Sequence, residues 1–236
     1  MSPELSVIVM AFNEADSLEA VVSECARVLH ELKRSYEIVI IDDGSQDGTE
    51  LVAERLAREL AGVRVVHHLA NQGLGAVYRT GFACARGEWL SFLPADGQFP
   101  ASILSQFVSL RPGVEMILGD MGNRHRPPLA RWLSFAEKAA YRLLFGRLPA
   151  FQGILMFRRR LLDELPLTAT GRGWVVLMEL IIRAAKAGRL IVSVPIEARP
   201  RHRGASKVTN LSTIWSNLVQ LILLRCRLAS RGVAAS

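Results

Sequence analysis

The sequence predicts an α/β fold in which a mainly parallel sheet is covered by helices on both faces. Three observations carry that prediction. Short apolar runs alternate with helix-length stretches through the first half of the chain. Half of the 236 residues are hydrophobic, enough to bury one substantial core. No repeat or low-complexity tract interrupts the pattern, so neither a solenoid nor disorder competes with a single globular domain.

Taken in order, a strand at 5–12 leads to a helix at 17–32, a strand at 37–41 to a helix at 48–60, a strand at 63–67 to a helix at 76–85, and a fourth strand runs over 89–93. This βαβαβαβ rhythm implies parallel strands, and in such sheets ligands bind where loops leave the carboxyl ends of the strands. Beyond residue 94 the pattern loosens into a helix at 101–110, a strand at 114–118, and a Pro- and Arg-rich loop at 122–128 that opens a helix over 129–144. A strand at 151–157, a helix at 174–187 and a late strand at 190–194 follow, then a basic loop at 199–207. From 211 to 228 apolar residues recur at 211, 214, 215, 218, 221 and 222, the spacing of an amphipathic helix. It is too polar to span a bilayer, which takes roughly 20 consecutive apolar residues. It either packs on the domain or lies in a membrane interface, where Arg225, Arg227 and Arg231 would meet anionic headgroups.

The net charge of +7 is unevenly spread. Residues 1–121 hold 9 Lys/Arg against 17 Asp/Glu, and residues 122–236 hold 20 against 5, so the halves stand near −8 and +15. A half this basic points to phosphate, whether in nucleic acid, an anionic lipid surface or a phosphorylated substrate. Nucleic acid is disfavoured, because basic and aromatic residues are not interleaved in a recognisable module. Cys25, Cys84 and Cys226 are widely spaced with no partner at ligand spacing, which suggests idle thiols in a reducing compartment. The chain starts without the basic and apolar regions of a signal peptide, so the expectation is a cytoplasmic protein.

Chemistry concentrates at the strand ends. The apolar run from Ile38 delivers Asp42 and Asp43 onto a tight turn that Gly44 and Gly48 permit and that Ser45 or Asp47 can cap as the next helix begins. The first strand ends in Ala11-Phe12-Asn13-Glu14, so two consecutive strands finish in acidic loops. Asn71-Gln-Gly73-Leu-Gly75, followed by Arg79, supplies glycines suited to close approach of a ligand and an Arg one helical turn along. A nicotinamide dehydrogenase is disfavoured, since this segment follows the third strand and lacks the spacing of the dinucleotide fingerprint.

In order and spacing these segments resemble glycosyltransferase family 2, most closely its polyprenyl-phosphate (dolichol-phosphate mannose synthase-like) branch. The resemblance extends through Gly87-Glu-Trp-Leu, Arg131-x-x-Ser134, Gln152-Gly153-x-x-x-Phe157-Arg158, Glu179, Pro195-Ile196 and Arg201-x-Arg203-Gly-x-Ser206-Lys207. It implies a GT-A fold and an inverting transfer from a nucleotide-sugar donor, a UDP- or GDP-sugar, to a lipid phosphate acceptor at an anionic membrane surface.

The resemblance gives the nucleotide to Ala11, Phe12, Asn13, Glu14, Asp42, Asp43, Asn71, Gly73, Gly75 and Arg79. Mg²⁺ or Mn²⁺ falls to Asp96 and Gln98. Arg131 and Ser134 fall where the branch contacts the acceptor phosphate, and Arg201, Arg203 and Lys207 offer donors to the diphosphate or the acceptor. An ionised acceptor phosphate needs no strong base, although Glu179 stays open as one. The implied division is a GT-A domain over 1–209, with a donor half at 1–121 and an acceptor half at 122–209, then a helix and tail over 210–236 that attach peripherally to the cytoplasmic face or through a membrane-protein partner.

Three departures stand out. Pro94 replaces the first carboxylate of the family's Asp-x-Asp metal loop, which implies weaker metal binding, an altered donor preference or lost activity. The last of these would leave a glycosyltransferase-like binding subunit. Gly119-Asp120-Met121 lacks a basic residue common there, unless Arg124 or Arg126 replaces it. Met10-Ala11-Phe12 stands where Pro-x-Tyr is common, with Phe12 available to stack on a base.

Overall fold

The structure is a computed structural model, and it describes residues 2–122, 142–199, 219 and 222–226. Four β-α steps open the chain: β1 (Leu5–Ala11), α1 (Ala15–Glu31), β2 (Tyr36–Asp42), α2 (Thr49–Glu59), β3 (Val63–His67), α3 (Leu74–Cys84), β4 (Trp89–Pro94) and α4 (Ser102–Ser109). The described part of the second half adds β5 (Met116–Asp120), β6 (Leu155–Arg158), α5 (Arg160–Glu164), α6 (Val175–Lys186) and β7 (Ile191–Pro195). The seven strands form one sheet in the order β3-β2-β1-β4-β6-β5-β7. Every neighbouring pair is parallel except those of β6, which runs antiparallel to both β4 and β5.

β1 and β2 are near-continuous apolar runs because both their faces are covered, as parallel strands require. Side chains alternate across the sheet with period two. Val7, Val9, Ile38 and Ile40 point to the layer of α1, α2 and α4, where Leu18, Val22, Leu29, Leu56, Leu104 and Phe107 are buried. Ile8, Val39, Ile41 and Phe92 point to the opposite layer with Val77 and Tyr78 of α3 and the apolar face of α6. Phe92 sits in an edge-to-face cluster with Tyr78 and Phe82, at 4.8 and 5.6 Å between ring centres. Each such buried side chain contributes about 1.5–3 kcal/mol, so both layers are firmly joined to the strands that carry the site.

Register fixes that site. Ala11 pairs with Asp42, Asp42 with His67, and Met10 with Pro94, which levels the carboxyl ends of the four parallel strands along one edge. One expectation is corrected: the strand read at 151–157 is paired only over Leu155–Arg158, with an isolated bridge from Gln152 to Asp120. Gly153, at a φ of +132°, turns the chain out of the ladder between them.

Residues 142–145 are helical, the end of the helix expected at 129–144, whose remainder lies outside the described residues. Of the helix expected at 211–228, residues 219 and 222–226 are described and helical, with Leu224 buried and Val219, Ile222 and Leu223 exposed. No helix among the described residues is long and apolar enough to cross a membrane. The three cysteines are free thiols, and only that of Cys25 is buried, which pushes its pKa up.

Candidate active site

A cavity of about 890 Å³ opens at the carboxyl edge of the sheet, beside the ends of β1, β2 and β4. Ala11, Phe12, Glu14, Asp43, Asn71, Asp96 and Gln98 of the expected set line it. Arg142, Arg147, Leu148 and Phe151 also line it, with Trp174 and Leu177 at the start of α6.

The loops after β1 and β2 are stitched together before either meets a ligand. Asn13 takes a left-handed φ of +55°, which Asn tolerates better than most residues. Its backbone N–H donates to Ser45 Oγ at 2.9 Å, and its side-chain oxygen accepts the Gln46 N–H at 2.9 Å. Glu14 N–H donates to Thr49 Oγ1 at 2.9 Å, and Ala15 N–H to Asp47 Oδ2 at 3.1 Å. Burial alone would raise the pKa of Asp47, but the Thr49 hydroxyl and the Ala15 and Thr49 N–H groups hold it below the usual range. Asn13 therefore shapes the loop whose neighbours Phe12 and Glu14 reach the cavity. It is Asp47, and not Ser45, that meets the first N–H of α2, at 3.0 Å.

Asp42 and Asp43 part company. Asp42 Oδ1 accepts the Ser45 N–H at 3.1 Å, and its Oδ2 lies 3.1 Å from His67 Nδ1, whose other ring nitrogen reaches Glu54 at 3.0 Å. Asp42 is not among the cavity-lining residues. Asp43 lines the cavity, held by the Gln72 and Gly73 N–H groups at 2.9 and 2.8 Å and by His68 Nδ1 at 2.7 Å. His67 and His68 were not singled out from the sequence. Their signal was two imidazoles at the carboxyl end of a strand beside the one that delivers the two carboxylates.

The glycines of the third loop are needed for close approach, but to the protein itself. A Cβ on Gly75 would stand 1.9 Å from the carbonyl oxygen of Gly171, and one on Gly73 would stand 2.8 Å from that of Arg172. Gly75 N–H donates to Arg172 O at 2.7 Å, which occupies the start of α3. Arg79 donates to Gly171 O at 3.3 Å and is not among the cavity-lining residues. Arg172 Nη2 bonds both the backbone and side-chain oxygens of Asn71, at 3.0 and 2.9 Å, next to Asp43.

Glu179 anchors this 168–174 loop. Fully buried, its carboxylate accepts the Thr168 and Ala169 N–H groups at 2.8 and 2.7 Å, the Thr168 hydroxyl at 2.9 Å and Arg183 Nε at 2.8 Å. A carboxylate so engaged is a structural anchor, and this removes the reading of Glu179 as a base.

In the fourth loop Asp96 Oδ1 accepts the Gln98 N–H at 3.1 Å, and Gln98 O accepts the Arg199 N–H at 2.7 Å. Asp96 and Gln98 both reach the cavity, as does Pro94, and Met121 does so at the end of β5. Arg131, Ser134, Arg201, Arg203 and Lys207 lie outside the described residues.

The chain is similar to known proteins in sequence and in fold. Polyprenol monophosphomannose synthase of Mycolicibacterium smegmatis is 30% identical over 216 residues, covering 86% of this chain and 80% of its own. Dolichyl-phosphate beta-glucosyltransferase of Drosophila melanogaster is 39% identical over 108 residues, 42% of this chain and 33% of its own length. Among solved structures, glucosyl-3-phosphoglycerate synthase from Mycobacterium tuberculosis, in complex with Mn²⁺, uridine diphosphate and phosphoglyceric acid, superposes with a TM-score of 0.68 at 22% identity, covering 93% of this chain and 78% of that one. That likeness bears on the fold, which is GT-A. The family model described as glycosyl transferase family 2 matches residues 6–165, a span that holds all four strand-end loops lining the cavity, and the chain belongs to that family.

Proposed function

We propose that this glycosyltransferase moves a sugar from a UDP- or GDP-sugar to a lipid phosphate of polyprenyl type, with inversion, at the cytoplasmic face of a membrane. The observation that carries the reading is the mixed lining of the cavity. Glu14, Asp43, Asp96 and Gln98 stand at the strand ends, and Arg142, Arg147, Leu148 and Phe151 line the same cavity. The first group suits a nucleotide with its cation; the second offers positive charge and apolar surface to a lipid phosphate. The polyprenol-specific name of the mycobacterial relative, which matches 86% of this chain, supports the acceptor class.

In the proposed reaction an oxygen of the acceptor phosphate, ionised near neutral pH, attacks the anomeric carbon opposite the leaving group. The bond to the nucleotide diphosphate breaks with its electron pair going to the diphosphate, and configuration inverts. No proton has to be removed from the nucleophile, which suits a site whose buried Glu179 is already engaged. Asp43 and Asn71 orient the nucleotide, while Arg142 and Arg147 attract anionic groups.

Asp96 and Gln98 fit a hard divalent cation in donor chemistry, since both bring oxygen to the cavity wall. Among the described residues no cluster of three or more His, Cys, Asp or Glu residues could cage one, so most of the coordination would fall to phosphate and water. Mg²⁺ or Mn²⁺ there would offset charge gained by the departing diphosphate. In this reading residues 1–121 bind the donor and 122–209 the acceptor, with Arg131 and Ser134 at the acceptor phosphate and Arg201, Arg203 and Lys207 at the diphosphate or the acceptor. Residues 210–236 meet anionic lipid or a membrane-protein partner.

Calorimetric titration with UDP- and GDP-sugars, with and without Mn²⁺, tests the donor site. Metal-dependent binding of one donor that disappears in Asp96→Ala is the expected result, and a protein that binds neither overturns it. Pro94→Asp should strengthen the Mn²⁺ dependence; a loss of binding would show instead that the site is shaped around Pro94.

A further inference from the structure

Asp43 stands on the cavity wall with most of its hydrogen-bonding capacity in use. An ionised carboxylate accepts at about four lone-pair positions. Oδ1 takes the Gln72 N–H at 2.9 Å and His68 Nδ1 at 2.7 Å, which fills that oxygen, and Oδ2 takes the Gly73 N–H at 2.8 Å, which among the described residues leaves one position open. The other ring nitrogen of largely buried His68 lies 2.8 Å from Thr80 Oγ1. Since a carboxylate only accepts, Nδ1 carries the proton, and the Thr80 hydroxyl can donate to Nε2. Next to this carboxylate Asn71 also lines the wall; its side-chain oxygen accepts Arg172 Nη2 at one of two lone pairs, and its amide N–H groups can donate to a ligand. At this point of the wall Asp43 thus presents one open acceptor position beside the Asn71 donor.

We infer that His68, by filling Oδ1 of Asp43, sets the base of the nucleotide donor as an imide of the uracil type and selects against guanine. The inference rests on the reading of this cavity as a nucleotide-sugar site. Uracil presents one ring N–H flanked by carbonyl oxygens, which matches one free position on Oδ2 and the neighbouring Asn71 amide. Guanine presents its ring N–H and its amino group side by side and calls for both carboxylate oxygens. With Oδ1 full, the amino group loses its partner, a mismatch that lowers affinity by about tenfold or more. Cytosine has no ring N–H at the matching position and sets a lone pair against the carboxylate. His68 acts through Asp43 and is a specificity-determining residue, not a catalytic one.

The test is calorimetric titration of the full chain with UDP, GDP and CDP in Mn²⁺, repeated on His68→Leu and His68→Gln after thermal melts establish that each is folded. In the wild type UDP should bind about tenfold or more tighter than GDP and CDP. His68→Leu frees a position on Oδ1, so the UDP-to-GDP ratio should fall toward one, while His68→Gln, which keeps a donor, should restore part of it. Wild-type protein that binds GDP as tightly as UDP overturns the inference, as does a folded His68→Leu that keeps the full ratio. If neither variant folds, the wild-type ratio decides. Binding of none of the three nucleotides would overturn the donor-site reading itself and this inference with it, a result distinct from a reversed preference.

Discussion

Replacing Gly75 by alanine would set backbone against backbone at the seam between α3 and the loop that precedes α6. The new methyl would stand 1.9 Å from the Gly171 carbonyl oxygen and 2.9 Å from that of Gly173, where real contacts do not fall below 3.0 Å. Because the obstructing atoms are main-chain, no rotamer change relieves them, and the loop must retreat. Overpacking of this kind costs about 1–3 kcal/mol. Stretching the 2.7 Å bond from Gly75 N–H to Arg172 O removes about 1 kcal/mol more, while the better helix propensity of alanine returns about 1 kcal/mol.

The net loss is about 2 kcal/mol, which lowers the melting temperature of a domain this size by about 4–8 °C. The same movement pulls Arg172 from Asn71, so nucleotide binding should weaken together with stability. Thermal melts by circular dichroism and a nucleotide titration read the two effects. Gly81→Ala is the control, because its methyl would meet only the Ile8 side chain, at 3.1 Å or more, and its effect should be smaller. A Gly75→Ala protein that melts at or above the wild-type temperature would refute the packing argument.

Glu179→Gln should cost about 3–5 kcal/mol, the range for breaking a buried charge pair, with Arg183 left facing a neutral amide; chemical denaturation checks it, and a change below about 1 kcal/mol would contradict the anchor role. Burial opposes the charged form of His67, but Asp42 and Glu54 outweigh it and raise its pKa above 6.5. A raised folded-state pKa gives stability that is present below 6.5 and lost as pH rises through the folded value, so the wild-type melting temperature should decline from pH 6 upward more steeply than that of His67→Gln. Arg172→Ala should weaken nucleotide binding with little loss of stability, since the side chain is exposed and acts on Asn71; unchanged affinity would remove the loop from the site.

The β-α rhythm, the mainly parallel sheet and a cavity at the strand ends were all open to reading, because apolar periodicity and loop position are local properties of a sequence. What escaped depended on distant partners. Gly73 and Gly75 read as ligand-facing, yet the surface they approach is the 171–173 backbone, almost a hundred residues along the chain. The two carboxylates Asp42 and Asp43 read as one pair, but neighbouring side chains at a strand end diverge, so only Asp43 turns to the cavity. His68 gave no periodic signal, and its role exists only through contacts with Asp43 and Thr80. The strand β6 was overestimated in length because the apolar run 154–157 continues a stretch that Gly153 bends out of the ladder.

The most direct test of the account is transfer itself: protein, Mn²⁺ and nucleotide sugar labelled in the sugar are incubated with vesicles containing polyprenyl phosphate, then extracted with organic solvent. The account predicts label in the organic phase that requires the lipid phosphate and disappears in Asp96→Ala. Label that stays in water whether or not the lipid phosphate is present, from a protein shown to bind the donor, would contradict it.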